Sequence, residues 1–179
     1  MDARRYKTIE QRALDALTEK GMLLPNFDVF ELLTRHNVKY AFETLPENVS
    51  GASMIEGGLK VVTINQSHYP NRQRFTAAHE LGHILLEHNT SLNISEGSSL
   101  PGSVVLYRND NSSLGSDWKE VEANHFAASL LMPRFLVDQE IVKFRSGAYL
   151  TESNVTSLAA VFGVSEISMS IRLGKLGYL

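Results

Sequence analysis

The sequence predicts an α+β fold that is mostly helical, with one small antiparallel sheet and a helix-turn-helix-like helical tail. Apolar residues recur at helical spacing near both ends of the chain, whereas β-branched and aromatic residues concentrate in three short runs between residues 38 and 65. A chain of 179 residues that is 43% hydrophobic lies within the size range of one domain. We therefore expect residues 1–179 to form a single domain with N-terminal helices (1–36), a sheet with site helices (37–132) and a C-terminal helical part (133–179).

The first half of the chain is expected to contain short helices, three strands and one longer helix. Amphipathic helices are predicted at 5–20 and 27–36, and strands at 38–45, 51–55 and 59–65. Gly57 and Gly58 supply a turn between the last two strands. Pro70 opens a further helix that runs to about His88, with Asn71 as its predicted N-cap.

The second half is expected to be a long connection followed by four helices. Residues 89–117 are rich in Ser, Asn and Gly and include one predicted strand at 103–108; a connection of this length can act as a lid over a site. Helices are predicted at 118–132 and 133–144, and the tail predicts a helix, a turn at Gly163 and a helix capped by Ser165. The apolar positions of the tail suit packing on the rest of the domain: Leu158, Ala159, Phe162, Val164, Ile167, Ile171 and Leu173.

Composition narrows the possible functions. The net charge of -3 and the pI of about 6.1 argue against a protein whose main partner is nucleic acid. The second tail helix, "SEISMSIRLGK", also offers few basic residues, so direct DNA binding is not expected. Cysteine is absent, which leaves His, Asp and Glu as metal ligands. The chain shows no apolar signal core or membrane-spanning run, and a cytoplasmic location without membrane contact is the expectation.

The stretch "TAAHELGHILLEH", residues 76–88, carries the strongest chemical pattern. His79 and His83 are four residues apart, so on a helix they project from one face and two imidazoles can reach one ion. Glu80 lies about 100° round the helix from His79, near enough to act as a general base. The alternative is that these residues are ordinary core or surface residues of a helix. The apolar residues around the two histidines favour the metal site over this alternative, and Gly82 would let a neighbouring backbone approach.

A third ligand is required, and the candidates are His88, His125, Glu87, Glu120 and Glu122. The spacing places His88 on the opposite side of the helix from His79 and places Glu87 a turn too far along. Glu120 is favoured, because it would come from a second helix. Asn124 would lie beside it and orient a ligand histidine. Glu122 would point elsewhere and is expected to be a surface or ligand-supporting residue.

The two segments "RFTAAHELGHILLEH" and "EVEANHFAASLLMP" resemble the ImmA/IrrE family of zinc metallopeptidases, over about residues 59–179. The resemblance implies a zincin-like metallopeptidase domain in which His79, His83 and Glu120 bind Zn²⁺ and Glu80 is the general base. Asn124 stands where related zincins often have Asp. The family also implies an intracellular protein, found on phages and other mobile elements, that cleaves a helix-turn-helix repressor by Glu-assisted attack of zinc-bound water.

Several features of function stay open at the level of sequence. The edge of strand 59–65 is predicted to pair with an extended substrate. Asn65, Tyr107 and His125 are candidate substrate contacts. Two imidazoles and a carboxylate suit zinc best but also accept manganese, iron or cobalt. The alternative functions are a DNA-binding regulator with a structural or inactive metal site, and a metal-stabilised interaction module. The oligomeric state is not predicted.

Overall fold

The computed structural model of the chain describes residues 2–88, 118–144 and 150–179. The helices and strands of these residues confirm a mostly helical α+β fold with one small sheet. The predicted strand at 103–108 and Tyr107 lie outside the described residues. In chain order the elements are α1 (Ala3–Thr18), α2 (Val29–Arg35), β1 (Val38–Glu43), β2 (Gly51–Glu56), β3 (Leu59–Asn65), α3 (Pro70–Leu85), α4 (Trp118–Leu131), α5 (Arg134–Phe144), α6 (Glu152–Phe162) and α7 (Glu166–Leu176).

The sheet is mixed, whereas an antiparallel sheet was expected. Strand order is β1-β3-β2: β2 pairs antiparallel with β3 across the Gly57–Gly58 turn, and β1 pairs parallel with β3 on its other side. The segment between β1 and β2 crosses the sheet, so β1 and β2 occupy opposite edges. Because β3 is paired on both sides, the prediction that the edge of strand 59–65 pairs with substrate is wrong.

Helix α3 lies against the sheet and begins two residues earlier than a cap at Asn71 would allow. Pro70 occupies the first turn, and the N-cap is Tyr69, whose side chain makes no capping hydrogen bond, so the Asn71 cap was wrong. A Cβ at Gly51 would come within 2.5 Å of Thr76 Cγ2, which shows how closely β2 approaches this helix.

Helix α4 is enclosed between α3 and α1. At the α3 contact a Cβ on Gly82 would meet Phe126 Cδ1 at 2.9 Å, so the glycine allows close approach, to a side chain rather than to the expected backbone. On the other side α1 contributes Ile9, Ala13 and Leu17 to the core. This arrangement buries both long faces of α4.

The C-terminal pair α6–α7 is built by local caps. Thr151 and Asn154 form a capping box at the start of α6, Gly163 ends it in the left-handed conformation, and Ser165 caps α7. Helix α7 buries Met169, Arg172 and Leu173. Ile167 and Ile171 were expected to pack but are 74% and 56% exposed, because the buried face of α7 runs through the other three residues.

None of the helices in 2–88, 118–144 and 150–179 is by itself long and apolar enough to cross a membrane. Helices α6 and α7 together have the length and apolar composition of a membrane span, but the pair is bent by 105°.

Candidate metal centre

Three ligand atoms converge between α3 and α4. The Nε2 atoms of His79 and His83 are 3.0 Å apart. The Glu120 carboxylate reaches both, at 3.2 Å from His83 and 3.4 Å from His79. Both imidazoles are buried, and the Glu120 side chain is only 14% exposed. The structure therefore brings together the two histidines and the acid that sequence spacing favoured.

The spacing of these atoms fits a metal ion. Four ligands arranged tetrahedrally at bond lengths of about 2.0–2.1 Å lie about 3.3–3.4 Å from one another. The observed separations are 3.0, 3.2 and 3.4 Å, and the three residues form a group that could hold an ion. Two imidazole lone pairs facing each other repel unless a proton or a cation lies between them. Because the Glu120 carboxylate is directed at the same point, its negative charge favours a cation there.

Asn124 supports His79 from outside the cluster. Its Oδ1 is 2.7 Å from His79 Nδ1, and because Nε2 of His79 faces the cluster, Nδ1 carries the hydrogen and donates it. Glu120 and Asn124 are thus neighbours on α4, as predicted, and both contact His79.

Glu80 lies on α3 directly after His79 and is 2% exposed. Its carboxylate is therefore buried on the same helix as both histidines of the cluster.

His83 is supported by residues whose contribution sequence reasoning missed. His88 Nδ1 lies 3.2 Å from His83 Nδ1, and His88 Nε2 lies 3.1 Å from Glu122 Oε2. Arg5 of α1 binds both oxygens of Glu122 with its guanidinium fork. His88 is not among the ligand atoms, as expected, but its ring lies against His83 rather than on the opposite side of the helix, because α3 ends at Leu85. Glu122 is buried rather than at the surface and contacts His88, which agrees with the supporting role, the other of its two expected positions. A motif search could not find this chain of contacts, because Arg5 and Glu122 are 117 residues apart.

The contacts of this supporting chain shift its pKa values. Burial raises the pKa of Glu122, but hydrogen bonds from Arg5 and His88 outweigh it and leave that pKa below its usual value. Burial lowers the pKa of His88, which the bond to Glu122 only partly offsets. The carboxylate is thus charged and His88 is neutral near pH 7.

The remaining predicted contacts lie away from the cluster. Asn65 is fully buried: its amide faces the carbonyls of residues 45, 46 and 49, and its Oδ1 accepts from the backbone N–H of Ser67. It therefore holds the β1–β2 crossing segment, which does not support a substrate contact. His125 faces α1, with its ring 4.6 Å from that of Tyr6, and burial lowers its pKa to about 4. That position does not support a substrate role either.

Comparison with known proteins places this chain in a family. The model of the peptidase M78 family, described as the IrrE N-terminal-like domain, matches residues 33–174. A Mycobacterium tuberculosis transcriptional regulator is similar in structure, with a TM-score of 0.61 and 18% identity over 93% of this chain. The chain spans 46% of that protein's length, and the likeness shows the fold alone. Curated proteins gave no significant match. Since the family model covers most of the chain, including both helices of the cluster, the protein belongs to the peptidase M78 (IrrE N-terminal-like) family.

Proposed function

We propose that the protein is a zinc-dependent endopeptidase. Membership of the M78 family supports a metallopeptidase-type role. The observation that carries the proposal is the convergence of His79, His83 and Glu120 on one point, with the buried Glu80 next to it in sequence. Two imidazoles and one carboxylate are a donor set that catalytic zinc sites use, and three protein ligands leave one position open.

The residues divide the work of hydrolysis between them. When bound, the ion lowers the pKa of water and polarises a carbonyl. Glu80 accepts the proton of the attacking water and delivers it to the leaving amine as the peptide bond breaks. Asn124 holds His79 in the orientation that keeps its Nε2 toward the cluster. Burial of both histidines and Glu80 excludes bulk water, which strengthens each electrostatic interaction.

We further propose that the substrate is a regulatory protein, specifically a helix-turn-helix repressor that is cleaved to relieve repression inside the cell. The support is the resemblance to ImmA/IrrE peptidases in the two segments that carry the site. With β3 paired on both sides, a substrate strand would have to use the outer side of β1 or β2, and β2 is the strand that approaches α3 through Gly51.

The test combines metal analysis with cleavage. Elemental analysis of the purified protein should find one zinc per chain. Incubation with the repressor encoded beside its gene should yield discrete fragments that a chelator suppresses. Glu80→Gln should retain zinc while cleavage falls by about 10²–10⁴-fold, the usual contribution of a general base. Glu31→Gln, an exposed acid on α2, is the matched control and should cut normally.

Two results would overturn the proposal. Cleavage by Glu80→Gln at the wild-type rate would remove the general base from the mechanism. Zinc that raises the melting temperature without any hydrolysis of the repressor or of an unfolded protein substrate would favour a metal-stabilised interaction module.

A DNA-binding regulator is the second candidate, because α6 and α7 meet at 105° around a left-handed glycine. The surface chemistry opposes it. Arg172, one of two basic residues in α7, is 2% exposed and bonds to Glu10 and to the Met132 carbonyl. Glu166 and Ile167 occupy the exposed start of the helix instead. Sequence-selective, salt-dependent retention on DNA by the purified chain would reverse this preference.

A further inference from the structure

We propose that Arg5, Glu122 and His88 are positioning residues for the metal centre and act through His83, so that the N-terminal helix α1 supports metal binding. The inference rests on the proposed function, since it assumes that His83 is a ligand. It assigns a role to the buried acid of α4 that does not face the cluster and to an arginine that lies outside the family-matched residues 33–174.

The direction of each hydrogen bond follows from the one before it. Because Nε2 of His83 faces the cluster, its Nδ1 carries the hydrogen and donates it to Nδ1 of His88. His88 must then carry its own hydrogen on Nε2, which donates to Glu122 Oε2. The carboxylate accepts from His88 and from the Arg5 fork. Each of the two rings therefore has a single tautomer. If His88 instead donated from Nδ1 to His83, the hydrogen of His83 would lie on its Nε2, where it would block metal binding.

The backbone at the end of α3 is shaped to deliver His88 to this position. Glu87 adopts φ +59°, a left-handed conformation that usually requires glycine. The His88 N–H then returns to the His83 carbonyl at 2.9 Å and the Glu87 N–H to the Ile84 carbonyl at 3.3 Å. This Schellman-type ending turns the chain so that the His88 ring comes back against His83. The Trp118 ring packs edge-on against His88, with centroids 5.5 Å apart.

The two ligand histidines are consequently supported by different chemistry. His79 donates to the neutral amide of Asn124. His83 donates to the imidazole of His88, which itself donates to the ionised carboxylate of Glu122. Negative charge at the far end makes a ligand imidazole more basic. Arg5 compensates that charge, because Glu122 is only 4% exposed and an unpaired buried carboxylate would be strongly unfavourable.

Arg5 is the part of this chain of contacts that reaches solvent, with a side chain 41% exposed. It lies in the first turn of α1, whose N-cap Asp2 accepts a hydrogen bond from the Arg5 backbone N–H. Changes at Arg5 should therefore reach the metal centre, although the first turn of α1 itself contributes no ligand.

The test measures zinc affinity by competition with a chromogenic chelator, together with the melting temperature of the metal-free protein. Glu122→Gln should weaken zinc binding by about 10- to 100-fold, because the amide carries no charge and its NH2 group would face an N–H donor of Arg5 or His88 where the carboxylate now accepts. Arg5→Gln should weaken binding by a smaller factor, because the glutamine amide can still donate to Glu122 although it no longer compensates its charge. Arg4→Gln, which removes the same charge from the same turn, is the matched control and should leave affinity unchanged.

Double variants separate a connected chain from independent structural effects. Arg5→Gln combined with Glu122→Gln should be no worse for zinc affinity than Glu122→Gln alone, because both act through His83. Glu122→Gln combined with Asn124→Ala should multiply the two single effects, since Asn124 acts on His79. The proposal is overturned if Glu122→Gln and Arg5→Gln lower the metal-free melting temperature but leave zinc affinity at the wild-type value.

The same measurements distinguish failure of this inference from failure of the proposed function. Wild-type protein that binds zinc but cuts nothing would contradict the endopeptidase while the affinity series still decides the role of these residues. Wild-type protein that binds no zinc would overturn both.

Discussion

Helix α4 buries polar side chains on two faces, and only one of them brings together a group of residues that could hold a metal ion. On the face toward α3, which we call the ligand face, Glu120 joins the two histidine Nε2 atoms and Asn124 holds one of the rings. On the face toward α1, which we call the α1 face, Glu122 is neutralised by Arg5 and His125 packs against Tyr6. Both faces are buried, so burial of polar groups does not by itself mark a site. The difference is that lone pairs of three residues converge on a shared point on the ligand face, whereas on the α1 face the Glu122 carboxylate is matched by protein donors.

The largest effect should come from removing the acid of the ligand face. Glu120→Ala takes away one of three ligands, so we expect zinc affinity to fall by more than the roughly 10- to 100-fold that supporting residues control, and cleavage to disappear. Chelator competition and fragment analysis measure both. Retention of wild-type zinc affinity would show that another acid completes the centre.

On the α1 face, His125 should make the stability of the protein depend on pH. The pKa of His125 is lowered to about 4, so between pH 6.5 and 4 the unfolded chain binds a proton there that the folded protein does not. The free energy of unfolding therefore falls by up to about 3 kcal/mol as the pH falls through this window. Above pH 6.5 His125 is neutral in both states and does not make stability depend on pH.

His125→Phe should remove this part of the acid sensitivity. Urea unfolding at pH 7.5 and pH 5 gives the free energy of unfolding of both proteins. Between pH 7.5 and pH 5 the variant should lose less of this free energy than the wild type. Parallel pH profiles for the two proteins would contradict the assignment.

The contact that holds α3 against α4 should be sensitive to a single methyl group. Gly82→Ala would place a Cβ 2.9 Å from Phe126 Cδ1 and 3.3 Å from its Cβ, which lies too near the backbone to swing aside. We expect a net loss of about 1–2 kcal/mol in the free energy of unfolding, because overpacking exceeds the gain in helix propensity.

Gly174→Ala is the matched control for that substitution. Gly174 lies in α7, and nothing lies within 4 Å of a Cβ built there. Replacement should therefore stabilise the protein by about 0.5–1 kcal/mol. Equal effects at the two glycines, measured by urea unfolding, would show that close packing at Gly82 is not limiting.

The smallest effect should be a gain on the α1 face. Ser129 is buried, and its Oγ has no hydrogen-bond partner among the residues the structure describes. Ser129→Ala should raise stability by about 1 kcal/mol, because a desolvated hydroxyl is removed, and zinc affinity should not change. A loss of stability would show that the hydroxyl has a partner.

Much of the ligand face could be predicted from local geometry. The spacing of His79 and His83 places both on one side of a helix, and the spacing of Glu120 and Asn124 does the same on a second helix. The order of the sheet could not be predicted in this way, because parallel pairing of β1 with β3 depends on where a crossing segment leads. For the same reason the sequence could not show that β3 is paired on both sides or that Asn65 is bonded to the segment between β1 and β2.

The C-terminal pair shows the same division. The turn at Gly163 and the Ser165 cap were predictable, because both depend on neighbouring residues. Which apolar residues of α7 face the core was not, and Ile167 and Ile171 are exposed while Arg172 is buried against Glu10. Helical periodicity gives the relative angle of side chains on one helix but not the direction of its neighbours.

By itself the sequence determined the helices that carry the site and the residues that share a face, because helix periodicity, caps and turn residues act over a few positions. Only the tertiary structure decided that Glu120 meets the two imidazoles, that a left-handed Glu87 turns His88 back onto His83, and that Arg5 reaches Glu122 across 117 residues. Contacts between distant segments depend on how buried faces fit together, and that fit is a property of the packed chain rather than of any one stretch of it.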